Sequence, residues 1–335
     1  MHDRGIYLPP AEQTWRDPEH WPLVSVSVLA YNSERTIART LDSILAQVTD
    51  FDYEIIVGDD CSSDGTRAIL REYQRRHPDR IQLILHPRRS DAYVAGRINN
   101  MTNLSCCRGK YTAMLDGDDF WTDPHKLRTQ VAQLEAHPAC TLAMHDTLMQ
   151  YEDCRGPVPA EPRRLSQMAN EAYPAGVLPN SLLHVNRWLP VHNSSFLFRT
   201  RCFPYFPEDF YEVIAADHYL FLLITQRGPA YYDPTLRSVY SKHHRGFSMH
   251  RDYRNSTSWR QRLRDLQTYQ RRFVTVHRAG AYAKMEFPFR VQLFRALLVE
   301  KRLLSGLAVL AQLLFRHPRL SAKRLGRLAR ATFFP

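Results

Sequence analysis

The sequence predicts an α/β fold: a mostly parallel sheet flanked by helices on both faces, with a helical, basic C-terminal extension. Two observations carry this. Short β-branched runs alternate with segments of helical period through the first 140 residues. Two of those runs end in clustered carboxylates, Asp59-Asp60 and Asp116/Asp118/Asp119, at the carboxyl strand ends where open parallel sheets hold ligands. The chain divides into a lead (1–22), a principal domain (23–245) and a C-terminal region (246–335).

"LVSVSVLAYN" (23–32) alternates Val24, Val26 and Val28 and reads as the first strand. Ser33 is placed to cap a helix whose Ile37, Leu41 and Ile44 recur at helical spacing. "YEIIVGDD" (53–60) is the second strand, and Asp64 caps the helix after it. "IQLILH" (81–86) is the third strand, followed by a basic loop and a short helical stretch. "YTAML" (111–115) delivers the carboxylates, and Asp123-Pro124 opens the next helix as a cap residue followed by proline. Beyond Tyr151 a Pro-rich stretch without periodicity reads as a long loop or lid. Order returns at "HNSSFLFRT" (192–200), then a helix over 211–228 stopped by Gly228, then short strands around Tyr231 and Val239.

Composition narrows the function. The start shows no basic-then-apolar signal pattern, and six cysteines without a C-x-x-C pair exclude a disulfide framework or zinc site. Both features point to a reducing, cytoplasmic compartment. The net charge of +11 is concentrated at the end: ten Lys/Arg against one acid from Arg290 onward leave +9 there. These charges interrupt apolar stretches rather than interleaving aromatics, which speaks for an anionic membrane surface and against nucleic acid. A soluble helix packed on the main domain is the alternative. The cleanest apolar run, Leu303 to Phe315, extends about 20 Å as a helix, short of the roughly 30 Å of hydrocarbon.

Three carboxylates within four positions repel one another; a divalent cation is one resolution, and a solvated acidic turn with a helix-capping Asp is the alternative. Mg²⁺ and Mn²⁺ prefer oxygen ligands and are shared between one or two carboxylates and a substrate phosphate. The turn after the first strand, "LAYNSERT", has no glycine, which excludes a dinucleotide-binding Rossmann turn, and no P-loop is present. Phosphate handling falls to metal and basic side chains; Arg88, Arg89 and Arg97 are candidates, with a solvated basic loop as the alternative.

"VSVSVLAYNSERTIARTLDSILAQ", "EIIVGDDCSSDGT" and "GKYTAMLDGDDFWTDPHKL" resemble, in order, the motifs of family 2 glycosyltransferases with the GT-A fold; the match spans about 23–245. The resemblance implies a catalytic domain there that moves a sugar from a nucleotide-diphosphate donor to an acceptor hydroxyl with inversion. It implies that Tyr31 and Asp60 contact the base and that Asp116 lies near the ribose; Arg97, from its place in the basic loop, remains the candidate donor-diphosphate contact. Asp118 would hold Mn²⁺ or Mg²⁺, with Asp119 and His243 completing or orienting that shell. Asp217, in "IAADHYLFLL", would be the catalytic base, made more basic by partial desolvation on an apolar helix. Cys61 stands where the family usually has Gly, Ala216 replaces the first acid of an E-D pair, and no Q-x-x-R-W motif is present, which speaks against a processive synthase. A nucleotidyltransferase or a non-catalytic nucleotide-sugar binder are the alternatives. The expected acceptor is a glycan or lipid-linked glycan at the inner face of the cell membrane.

Overall fold

Both faces of the first strand, β1 (Val24–Ala30), are buried, as a central parallel strand requires. A computed structural model describes residues 21–88, 96–153, 161–168, 173–183, 191–202, 206–214, 216–244, 246, 255–273 and 281–316. Its first half follows the expected alternation: α1 (Ile37–Leu45), β2 (Tyr53–Asp59), α2 (Thr66–Arg76), β3 (Ile81–Leu85), α3 (Arg97–Cys106), β4 (Tyr111–Asp116), β5 (Phe120–Trp121), α4 (Lys126–Ala136) and β6 (Leu142–Tyr151). The second half holds β7 (Arg163–Arg164), α5 (Leu165–Met168), β8 (Gly176–Leu178), α6 (Asn180–Leu183), β9 (Leu197–Arg199), α7 (Ala216–Thr225) and β10 (Ala230–Lys242). Three helices close the described chain: α8 (Ser256–Arg272), α9 (Ala281–Val299) and α10 (Leu303–Arg316).

The sheet runs β3-β2-β1-β4-β9-β6-β10-β5. β3, β2, β1 and β4 are parallel neighbours, β9 runs antiparallel between β4 and β6, and β10 is parallel to β6. The carboxyl ends of β1, β2, β4, β6 and β10 therefore share one rim. Register fixes it closely: Ala30 lies beside Asp59, and Leu29 beside Asp116.

One face is covered by α1, α2 and α4 through Ile37, Leu41, Leu70, Leu127 and Leu134. The other carries Leu104 of α3, the apolar side of α7 and Leu266 and Tyr269 of α8. α3 lies close because β2 has Gly58 under it; a Cβ there would fall 1.9 Å from Asn99 Oδ1. Asn99 and Asn103 instead donate to the carbonyls of Gly58 and Val28, each at 2.8 Å, tying the helix to strand backbone.

Several local expectations are corrected. α1 starts at Ile37, and Ser33 contributes its carbonyl rather than a capping hydroxyl. α4 begins two residues after Pro124, with Asp123 accepting from the His125 N–H at 2.8 Å. The helix expected over 211–228 is confined to α7, because residues 208–211 turn as a 3-10 segment. The two short strands are one, β10, whose register shifts around Pro234 absorb the residue that cannot donate to the ladder. The expected lid is not loose where it is described: Tyr173, Leu178 and Leu183 are buried in the main core. Residues 154–160, 169–172 and 184–190 lie outside the description, as do Arg89 and most of the lead.

Candidate active site

The rim gathers the carboxylates the sequence singled out. Asp116 ends β4 and accepts a hydrogen bond from Asn193 Nδ2 at 3.0 Å. Burial, then the charges of Asp118 and Asp217, push its carboxyl up to about 7, with the Asn193 bond opposing. Asp118 is partly exposed and lies 3.0 Å from His243 Nε2, just past the end of β10. Asp119 is fully buried, and Oδ1 accepts the Ser241 N–H at 2.9 Å. Burial and its two neighbouring acids hold Asp119 well above the usual carboxylate range.

His192, which the sequence reading passed over, completes the cluster. Its ring stacks on Tyr240 with centroids 4.0 Å apart, and burial pushes it down to about 4, so it is neutral near pH 7. Nδ1 accepts from the Ser194 N–H and sits 3.1 Å from the Ser194 hydroxyl. Asp119 Oδ2 lies 3.2 Å from the same nitrogen. In this buried site Asp119 Oδ2 has no hydrogen-bond donor among the described residues. Asp116, Asp119 and His192 each offer a ligand atom, all within 4.8 Å of one another. Carboxylate oxygens with one imidazole nitrogen suit Mn²⁺, and the carboxylates alone suit Mg²⁺, so the residues present fit a dication.

Other elements hold this geometry. Trp121 Nε1 donates to Ser194 O at 2.9 Å and Gln130 Nε2 to Ser195 O at 2.7 Å, pinning the turn that carries His192 and Asn193. Of the residues expected at the base, Tyr31 follows β1 and is exposed, whereas Asp60 is buried and accepts the Gly96 N–H at 3.0 Å.

Two site residues are placed differently from expectation. Arg97 is buried at the start of α3, where Nη2 donates to the carbonyls of Val213 and, at 3.3 Å, Ile214. Its guanidinium lies 4.7 Å from the Phe210 ring centre, so it faces the loop before α7 rather than an open diphosphate site. The Ile214 N–H in turn donates to Asp265 Oδ2 of α8 at 2.8 Å. Asp217 is exposed in the first turn of α7, so the helix itself does not desolvate it. Its charge nonetheless helps raise Asp116, which puts it within electrostatic reach of the acidic cluster.

A family model described as "Glycosyl transferase family 2" matches residues 25–153. That segment is a family 2 glycosyltransferase domain. The chain is 40% identical over 100 residues to a Bacillus subtilis protein named as a teichuronic acid biosynthesis glycosyltransferase, TuaG, covering 30% of this chain and 37% of the relative. It spans less than half the length of the curated relatives it matches. Residues 1–349 of S. aureus TarS, solved with UDP-GlcNAc, match with a TM-score of 0.55 at 20% identity, over 90% of this chain and 74% of that one. The mannosyltransferase PcManGT of Pyrobaculum calidifontis, solved with GDP-Man and Mn²⁺, matches at 0.52 and 21%, over 96% and 83%. These likenesses establish the GT-A fold.

The glycosyltransferase domain also explains its departure at Cys61. The backbone there has φ of +61°, the left-handed region where glycine is favoured. Cysteine keeps the turn's shape at a cost of about 1 kcal/mol or more.

Proposed function

We propose that the chain is an inverting, metal-dependent glycosyltransferase that takes a sugar from a nucleoside-diphosphate donor. The supporting observation is the convergence of Asp116, Asp118, Asp119, His192 and His243 on one rim, with Asp217 acting on the same field. Tyr31 and Asp60 border the position of the nucleobase, and Asp116, held by Asn193, faces the ribose. Asp116, Asp118, Asp119 and a histidine would hold a dication, which would supply Lewis-acid neutralisation of the departing diphosphate. Asp217 takes the proton of the acceptor hydroxyl as that oxygen attacks the anomeric carbon opposite the leaving group. It is exposed in the free protein and so open to an approaching acceptor. Arg97 and Asp265 act indirectly, fixing the backbone three residues ahead of Asp217.

The donor class accords with the ligands of the two solved structures, and Mn²⁺ with that of the mannosyltransferase. TuaG's name accords with a role in polysaccharide assembly; a glycan or lipid-linked acceptor and a peripheral position at the inner face of the cell membrane extend that reading, supported by the basic, apolar-interrupted C-terminal region. The test is a panel of nucleotide sugars assayed for dication-dependent release of nucleoside diphosphate. Asp217→Asn should cut turnover by about 10²–10⁴-fold while donor affinity stays unchanged. Full turnover in that variant refutes the base assignment; no dication-dependent release from any donor refutes the reaction.

A further inference from the structure

The C-terminal helices are packed on one side and bare on the other. Val309 and Leu313 of α10 are buried against Val291, Leu293 and Leu297 of α9. Across the helix, Leu303, Leu304, Leu307, Leu314 and Phe315 are exposed, Leu304 and Phe315 to 85% and 88%. At 100° per residue these five fall within an arc of roughly 120°, one continuous apolar stripe. Such a stripe is unusual on a water-facing surface, where large contiguous apolar patches mark an interaction site.

Beside the stripe lies a cleft of about 410 Å³ between α8, α9 and α10. Arg260, Arg264 and Arg290 line it, with Leu293 and Val309 among its apolar residues. Arg290 is paired with Glu286 at 2.6 Å, and Glu300 is held by Ser256 N–H and Oγ at 2.7 and 2.6 Å. Glu300 also lies in the field of Arg302 and Arg260, yet Arg260, Arg264, Arg290 and the exposed Lys301 and Arg302 outnumber Glu286 and Glu300 and leave the surround of the stripe cationic. Two copies meeting face to face through this patch would bring like charges together. Anionic phospholipid headgroups complement it, and acyl chains accept the leucines. No helix of the described residues is long and apolar enough to cross a membrane, so the stripe would lie in the interface plane.

We infer that the exposed face of α10, together with the arginine cleft beside it, docks the protein on a bilayer containing anionic phospholipids. This deepens the reading of a peripheral enzyme and names the surface responsible. Docking does not depend on the reaction, so vesicle binding and turnover can fail separately. The arrangement also suits a membrane-borne acceptor. α10 packs on α9, α9 on α8, and α8 places Tyr269 against His218, the neighbour of Asp217. Three helix-packing steps of about 8–10 Å put the docking face within about 30 Å of α7.

The test is co-flotation of the full chain with vesicles of phosphatidylcholine alone or mixed with phosphatidylglycerol, at low and high salt. Binding should be strong only to the anionic vesicles and weaken with salt. The double substitution Leu304→Glu and Leu307→Glu should reduce it by about tenfold or more, with donor hydrolysis and circular dichroism unchanged. Arg260→Gln with Arg264→Gln should flatten the salt dependence. No vesicle binding, or equal binding by the leucine variant, overturns the inference. So does a concentration-dependent dimer, abolished by that variant, in a chain that ignores vesicles. Binding lost only on deleting 317–335 would reassign docking to that segment and equally overturn it.

Discussion

Replacing Asp116 with asparagine should stabilise the metal-free protein, increasingly so as the pH rises. The Asp116 carboxyl sits at about 7 instead of 3.8, chiefly through burial and then through Asp118 and Asp217, against the Asn193 bond. A carboxyl raised in this way binds its proton more tightly folded than unfolded. Its cost is therefore absent below the unfolded value, grows between about pH 4 and 7, and is complete above about 7. Three units correspond to about 4 kcal/mol, and because the residue is only partly buried, solvent screening brings this to about 2 kcal/mol. His192 works in the opposite sense. Pushed down to about 4, it is neutral in the fold and adds stability as pH climbs toward its ordinary 6.5. The wild-type profile alone blends the two effects, whereas the difference between variant and wild type isolates Asp116 to first order. The amide oxygen of the variant, placed where Asp116 Oδ2 lies, can still accept from Asn193, which keeps that bond. Urea unfolding in chelator should show the variant's advantage growing by about 1–2 kcal/mol between about pH 5 and 8. Mn²⁺ should then favour the wild type, by up to about 2.7 kcal/mol at a hundredfold excess over its dissociation constant. An advantage that is constant with pH, or a variant less stable at the alkaline end, would refute the reasoning.

Three further outcomes follow from the same geometry. His243→Ala removes the partner 3.0 Å from Asp118 and should weaken Mn²⁺ binding by about 10–100-fold in calorimetry; unchanged affinity would exclude His243 from the metal shell. Asp265→Ala frees the Ile214 N–H and should lower kcat by about tenfold while nucleotide affinity holds, with Asp265→Asn restoring most of the rate; a matched loss of affinity would mean general unfolding instead. Gly58→Ala forces a Cβ to within 1.9 Å of Asn99 Oδ1 and should cost about 1–3 kcal/mol by thermal unfolding, with an unshifted midpoint contradicting the tight seat of α3.

The parts of the site that local patterning can announce were legible. Alternating valines marked β1, and acids at the ends of two apolar runs marked the rim, because strand ends and carboxylate clusters are adjacent in sequence. His192 was not legible in the same way. Nothing in "HNSS" distinguishes a buried imidazole among carboxylates from a polar turn; the antiparallel return of β9 brings it to Asp119. Arg97 misled for a related reason. A basic residue after an irregular loop reads as a phosphate contact until the fold shows the carbonyls of residues 213 and 214 in front of it.

The order of strands and helices, the acid-bearing ends and the basic C-terminal charge were set by residues near one another in the chain, where period and composition suffice. Which carboxylates are buried, which histidines face them and which side of α10 is left bare depended on contacts between distant segments. Burial and the approach of one ionisable group to another are properties of three-dimensional neighbours, and no local pattern encodes them.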